Sequence, residues 1–427
     1  KVLKAGRKLF FLRELVFVPL SPFKRQGINC ILGIGRYGKE DIMGHAKNSP
    51  CPSFRRVRMA SPYHSPEIED AVMSVLQSGR LIQGQKVMDF ENALADYLGC
   101  KHVIAVSSGT AALHLAFLAL GVGPGDEVIT TPFSFASSAN AILYCGATPV
   151  FVDIDPKTFN IDPALIEQSI TSRTVGIEPV HLYGQPAEMD EIEAIAKKHS
   201  LFIVEDAAQA IGAKYRGRKI GTIGDITCFS TYTTKNLHTM EGGFLTTSDD
   251  DIAVRLRRLR NIGQKSKYNH TLIGYNYRMT EVAAVIGIEQ VGLIDKFSDI
   301  RRDNAAYITE KLSALEGRGI NTPYVAPHSD HVFHQYTVSI DANKAGFTRD
   351  DLADALKTFG VETGMHYPIP IYAQPCFQGR FSSSRRSCRV TEMACASVLS
   401  LPVHPGLTEE DLQHVVSSFV VSFSKSV

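Results

Sequence analysis

Between residues 65 and 260 the apolar positions of this chain alternate between two rhythms, and that alternation predicts its elements. Ile68, Val72, Val75 and Leu76 share one helical face after the start signals Ser65-Pro66-Glu67, so a helix is predicted over 65–78. A loop punctuated by Gly79 and Gly84 leads to a second helix, predicted over 87–98 and stopped at Gly99. His102-Val103-Ile104-Ala105-Val106 then reads as a strand, Ser107-Ser108-Gly109-Thr110 as a turn, and 111–120 as an apolar helix ended by Gly121. Further strands are predicted near 127–130, 149–153, 176–181, 201–204, 225–229 and 243–247, with helices near 134–144, 163–169, 188–199 and 251–260. Strands that alternate with helices predict an α/β fold with a largely parallel sheet covered on both faces.

The pattern changes after residue 280. Residues 280–316 read as mostly helix, Tyr336-Thr337-Val338-Ser339-Ile340 as a strand, and 348–359 and 408–420 as helices, which suggests a smaller C-terminal α+β domain. Residues 381–389, rich in serine and arginine, read as an exposed loop. The expected division is a basic, poorly ordered extension over 1–58, a large domain over 59–300 and a small domain over 301–427.

The net charge of +1 over 427 residues conceals an asymmetry, because 1–58 carries 13 Lys/Arg against 3 Asp/Glu and the remainder is mildly acidic. No nucleic-acid footprint appears in that body. The extension contains Gly33-Ile34-Gly35-Arg36-Tyr37-Gly38, which matches a dinucleotide fingerprint. Gly44 and Pro50 interrupt the helix such a fingerprint must open, and arginines stand where the acid should be. The apolar run 9–20 is broken by Arg13-Glu14 and precedes no small-residue cleavage site. No apolar stretch approaches the roughly 18 residues that span a bilayer. The eight cysteines form no C-x-x-C pair, so reduced thiols and a cytoplasmic location are expected. No metal-ligand spacing stands out.

The candidate chemistry lies at the ends of the predicted strands. Asp206 ends the apolar run Leu201-Phe202-Ile203-Val204-Glu205, at the edge where open α/β sheets bind ligands, and Glu205 should point the other way. Gln209 follows three residues later, on the face of Asp206 if the chain turns helical. Lys235 lies in a small-residue loop after Phe229-Ser230, ahead of Glu241-Gly242-Gly243. A lysine able to form a Schiff base and a carboxylate able to keep a pyridine nitrogen protonated are the two groups a pyridoxal phosphate enzyme needs. Residues 107–110 could present N–H groups to a phosphate at a helix N-terminus, or be an ordinary Ser/Thr cap. Asp206 could equally be a solvated strand end and Lys235 a surface lysine, so the reading rests on their order and spacing.

Taken together, Ser107 to Thr110, Thr131-Pro132-Phe133-Ser134-Phe135, Ala139-Asn140-Ala141-Ile142, Glu205-Asp206-Ala207-Ala208-Gln209-Ala210, Phe229-Ser230 to Lys235-Asn236-Leu237, Glu241-Gly242-Gly243, Gly274-Tyr275-Asn276-Tyr277-Arg278-Met279 and His366-Tyr367-Pro368-Ile369-Pro370 resemble the successive motifs of the DegT/DnrJ/EryC1/StrS sugar aminotransferases. The resemblance runs from about Ser65 to the C-terminus. It implies a fold-type I enzyme with a seven-stranded sheet, using pyridoxal 5′-phosphate to move an amino group from L-glutamate or a similar donor to a nucleotide-linked keto sugar. By the same resemblance Lys235 carries the internal aldimine and shuttles the proton, Asp206 binds the pyridine nitrogen and Gln209 the ring hydroxyl. Gly109, Thr110 and Ser230 hold the phosphate, and Phe135 stacks on the ring. Asn276 reaches the phosphate of the neighbouring subunit's cofactor, which implies a homodimer with shared sites. His181, Tyr183, Arg278, His334 and His366 are the implied substrate contacts. In a dehydratase branch a histidine replaces the lysine, whereas position 235 is lysine here; a non-catalytic regulatory relative is the other alternative. Thr231 and Met240 depart from the family pattern, where an aromatic and a glycine are common, and both flank the lysine loop.

Overall fold

The computed structural model describes residues 55–377 and 388–425. The fingerprint-like glycines and the apolar run of the extension lie outside the described residues, as does most of the loop expected at 381–389.

Seven strands form the central sheet: β1 (His102–Val106), β2 (Glu127–Thr130), β3 (Thr148–Phe151), β4 (Thr174–Ile177), β5 (Phe202–Asp206), β6 (Ile226–Ser230) and β7 (Gly243–Thr247). Their spatial order is β1-β7-β6-β5-β4-β2-β3, and only β7 runs antiparallel to its neighbours. All four residues of β2 and all five of β7 are buried, as expected of strands covered on both faces. The predicted strand over 176–181 is shorter, because Pro179 has no N–H to continue the ladder and β4 stops at Ile177. The predicted helix over 163–169 is instead two single 3₁₀ turns, Pro163–Leu165 and Glu167–Ser169.

One face of the sheet is covered by α3 (Gly109–Ala119), whose eight buried residues leave almost no polar stripe. On the opposite face α2 (Gln85–Leu98) packs on α7 (Glu281–Val291), with Phe90 and Leu94 fully buried beside Phe244 of β7. The N-terminus of α2 has no side-chain cap of its own. Glu281 supplies one from a distance: Oε1 accepts from the N–H groups of Gly84 (2.8 Å) and Val87 (3.0 Å), and Oε2 from that of Lys86 (3.0 Å). Three donors that a helix start leaves unpaired are thereby satisfied by one buried carboxylate.

The helix α8 (Ile294–Leu312) runs through residue 300 and leads to a three-stranded antiparallel sheet of Ile320–Asn321, Tyr336–Ile340 and Val398–Leu401. Arg389, expected in a loop, opens the helix Arg389–Ser397. Residues 55–58, which the sequence reading assigned to the extension, are tied to this region. Val57 bridges Val361 and is 2% exposed in its apolar cluster, while Arg55 pairs with Asp411 (2.8 Å) and Arg56 with Glu362 (2.6 Å). Burial of Val57 contributes about 1.5 kcal/mol or more to this attachment, beside its backbone hydrogen bonds with Gly360 and Glu362.

Removal of the shared cap gives a direct test. Glu281→Ala should lower stability by about 2 kcal/mol, because the buried N–H of Val87 and the part-buried N–H groups of Gly84 and Lys86 lose their acceptor. A shifted denaturant midpoint with an unchanged m-value would register it.

Candidate active site

The site begins with the carboxyl end of β5, where strand alternation sends adjacent acids to opposite sides. Glu205 faces the interior and accepts from His181 Nε2 (2.8 Å), Thr227 Oγ1 (2.6 Å) and Gly224 N–H (2.8 Å). Burial opposes its charge, but those donors outweigh it and hold the carboxyl below its ordinary range. His181 Nδ1 accepts from Ala187 N–H (3.0 Å), so both ring nitrogens are used inside the fold. His181 is fully buried and does not line the cavity, contrary to its assignment as a substrate contact.

Asp206 faces a cavity of about 430 Å³ above the sheet edge. Its Oδ2 accepts from Ser138 Oγ (2.9 Å) and its Oδ1 from Ala208 N–H (3.1 Å). Burial still raises its pKa, with the two donors and the charge of Lys235 acting in the opposite direction. Lys235 stands across the same cavity, where desolvation lowers its pKa to about 8 and Asp206 pulls it the other way. An amine poised there is part free base at neutral pH and can both attack a carbonyl and carry a proton.

The part of the cavity lined by Ser108, Gly109, Thr110 and Ser230 is made by close backbone approach. Ser108 Oγ caps α3 by accepting from Ala111 N–H (3.1 Å), which leaves the first-turn amides of Gly109 and Thr110 without intrahelical partners. A Cβ on Gly109 would lie 2.8 Å from that of Ser230, so only glycine lets helix start and β6 end meet. Thr110, Ser230 and Ser137 add hydroxyls, Thr110 Oγ1 lying 2.7 Å from Ser137 Oγ. Phe135 is 61% exposed on the wall, with its ring 6.3 Å from that of Tyr367. These groups fit pyridoxal phosphate: amides and hydroxyls at a helix N-terminus for the phosphate, an aromatic for the ring, a carboxylate for the nitrogen and a lysine for the aldehyde.

The cavity therefore brings together Gly109, Thr110, Phe135, Asp206, Gln209, Ser230, Lys235, His334 and His366 from the sequence reading. His334 Nδ1 contacts Asn236 Oδ1 (3.2 Å) and His366 Nδ1 contacts Ser400 Oγ (3.0 Å). Burial, then the charge of Lys235, pushes His366 down to about 4 and His334 well below its ordinary value, so both are neutral imidazoles. Tyr183 is absent from the wall: its hydroxyl donates to the His366 carbonyl and its N–H to Gln209 Oε1 (2.7 Å). Its backbone sits at φ 59°, so it shapes the cavity from behind rather than touching what enters. Asn276 and Arg278 are likewise outside the wall, Asn276 exposed and Arg278 Nη1 donating to Asn261 Oδ1 (2.7 Å). Of the two departures from the family pattern, Thr231 is buried against Thr239, their hydroxyls 2.6 Å apart. Met240 takes φ 66°, the left-handed region that glycine enters without strain.

Ser138, one serine among several, was not singled out from the sequence, and Tyr367 was quoted only within the motif His366-Tyr367-Pro368-Ile369-Pro370, without a role. Tyr367 OH accepts from Gln209 Nε2 (3.1 Å), and burial, then Asp206, raises its pKa. Glu178 was missed as well. It is fully buried, neither carboxyl oxygen meets hydrogen-bond geometry, and burial with the nearby Asp206 raises its pKa well above the ordinary value.

A mostly parallel sheet that gathers a carboxylate, a desolvated lysine and an anion cradle at one edge defines a fold-type I pyridoxal phosphate enzyme. The family model for the DegT/DnrJ/EryC1/StrS aminotransferase family matches residues 62–420, and the chain belongs to that family. A pleiotropic regulatory protein of Geobacillus stearothermophilus is 44% identical over 82% of this chain and 93% of its own. The GDP-perosamine synthase of Caulobacter vibrioides is 40% identical over 85% of this chain and 97% of its own. The solved structure of S. venezuelae DesV superposes with a TM-score of 0.79 at 39% identity, covering 83% of this chain and 94% of that one.

Two pH responses follow from the buried groups. Capture of pyridoxal phosphate by apoprotein should accelerate with a midpoint near pH 8, as Lys235 loses its proton; stopped-flow absorbance from pH 6 to 10 reads it, and a midpoint near the free-lysine value of 10.5 would contradict it. Glu178 holds its proton when folded and loses it when unfolded, so its contribution to stability worsens as pH rises above the unfolded value of 4.5. Glu178→Leu should therefore stabilise the protein more at neutral pH than at pH 4, as thermal melts at the two would show.

Proposed function

We propose that this aminotransferase moves an amino group from L-glutamate or a similar donor to the ketone of a nucleotide-linked sugar, in two half-reactions through one site. The observation that supports this most is the facing pair of Asp206 and Lys235 in one cavity with a glycine-lined anion cradle. Bound pyridoxal phosphate supplies an electron sink for the carbon that gains or loses the amine. Asp206 keeps a proton on the ring nitrogen, and Ser138 and Ala208 hold that carboxylate in place. Lys235 Nζ moves the proton at the reacting carbon. Gly109, Thr110 and Ser230 anchor the phosphate, Phe135 covers one face of the ring, and Gln209 with Tyr367 borders the ring hydroxyl. On this reading His334 and His366, neutral and on the wall, bond hydroxyls of the sugar.

The same reading includes a homodimer working in the cytoplasm, with a large cofactor-binding domain to residue 300 and a small domain beyond it. Asn276 lies outside its own chain's cavity, as a residue serving a partner's site would. No helix among the described residues is long and apolar enough to cross a membrane. One observation favours a regulatory role instead, the name of the Geobacillus relative. The presence of the whole Asp206, Gln209, Ser230 and Lys235 set around one cavity weighs against it.

Protein loaded with pyridoxal phosphate should be yellow and lose its visible band on adding L-glutamate, then regain it with a nucleotide keto sugar. Lys235→Ala should abolish the band, and activity should fall at least about 1,000-fold. An unchanged spectrum with glutamate would reject that donor. Asn276→Asp should weaken cofactor retention by placing a charge beside the partner's phosphate, and hybrids of Lys235→Ala with Asn276→Asp should regain activity if sites are shared.

A further inference from the structure

A second cavity, of about 390 Å³, meets the first at Thr234 and Lys235. It lies between the lysine loop, α8 and the segment Ala60–His64. No aspartate or glutamate is in its wall, whereas Lys296, Arg301 and Lys235 are. The other ring groups there bring no compensating acid into the cavity: His64 is turned to the exposed Glu69 (2.7 Å), and His238 donates to the Tyr63 carbonyl (2.9 Å).

Arg301 is the unusual member. Three arginines are buried among the described residues, and two of them have carboxylates: Arg260 is paired with Glu91 and Arg349 with Asp350. Arg301 is 6% exposed, makes one bond from Nη1 to the Phe333 carbonyl (3.1 Å), has no partner at Nε, and forms no ion pair with any described residue. Burial brings its pKa down to about 10, so it is still a cation at neutral pH. A buried guanidinium without an anion is costly unless something arrives to pair with it, and its planar fork matches an oxyanion.

We infer that this second cavity is an anion seat in which Arg301, assisted by Lys296, takes the carboxylate of the amino donor. The inference rests on the transaminase reading above. The position next to Lys235 selects the anion. In an amino acid the carboxylate is on the carbon that bears the amine, so its seat must adjoin the lysine. In a nucleotide sugar the diphosphate is separated from the ketone by several bonds of the ring, so its seat belongs farther away. Two cavities that share one lysine also let donor and sugar approach the same centre over partly different surfaces, which a two-stage reaction requires.

The test uses cofactor-loaded protein and glutarate, a dicarboxylate with no amine to transfer. Calorimetric titration should show saturable binding that weakens about 10- to 100-fold in Arg301→Gln, the range for a lost charge-assisted pair, and by a smaller factor in Lys296→Met. Lys296 is exposed, so its variant keeps the test decisive if Arg301→Gln folds poorly. KM for L-glutamate should rise in parallel with little change in kcat, while KM for the sugar holds. Wild-type protein that binds no glutarate, or both variants binding it as wild type does, would overturn the seat. A rise confined to the sugar's KM would overturn the choice of carboxylate in favour of diphosphate. Arg301-dependent glutarate binding together with a spectrum that glutamate leaves unchanged would count against glutamate as donor and support the seat.

Discussion

The placement of a carboxylate and an amine across one partly dry cavity governs the rest of this structure. Asp206 is 5% exposed, and such a group would take up a proton if nothing answered its charge. Ser138 and the Ala208 amide answer part of it, and the amine of Lys235 another part. Lys235 in turn loses stabilisation through desolvation and regains some from Asp206. Each group is tuned by the other, so the sheet edge, the helix start and the lysine loop must all be positioned to keep them in one cavity.

Tight backbone contacts provide that positioning. Gly109 at the start of α3 meets Ser230 at the end of β6, and a Cβ on Gly243 of β7 would lie 2.7 Å from the Gly109 nitrogen. Three elements from distant parts of the chain converge on the anion cradle with no room for a side chain between them. Below them, Glu205 secures β5 to β6 through Thr227 and to the loop after β4 through His181. The acid facing inward thus stabilises the strand end from which the acid facing outward works.

Much of this was legible along the chain. The strand and helix rhythms located the seven strands of the sheet, because parallel strands covered on both faces must be apolar runs between amphipathic or apolar helices. The acid at the end of β5, the glycine at the start of α3 and the lysine after β6 were recognisable by order and spacing. His181 and Tyr183 show the limit. Both sit in the loop after β4, where a contact with substrate is a natural expectation, yet a turn at positive φ sends the tyrosine behind the wall and a buried glutamate claims the histidine.

What the sequence determined by itself is therefore the layered β/α architecture and the identity of the chemical groups, since both depend on local periodicity and on residue type at strand ends. Tertiary structure alone decided which polar groups remain available. Whether a histidine, tyrosine or arginine is satisfied depends on partners far away in the chain. Glu281 caps a helix almost two hundred residues earlier, 197 positions from Gly84. Arg301 is left without an acid because the cavity wall it shares contains no aspartate or glutamate. Hydrogen bonds and desolvation are properties of the assembled environment, and no single stretch of sequence contains them.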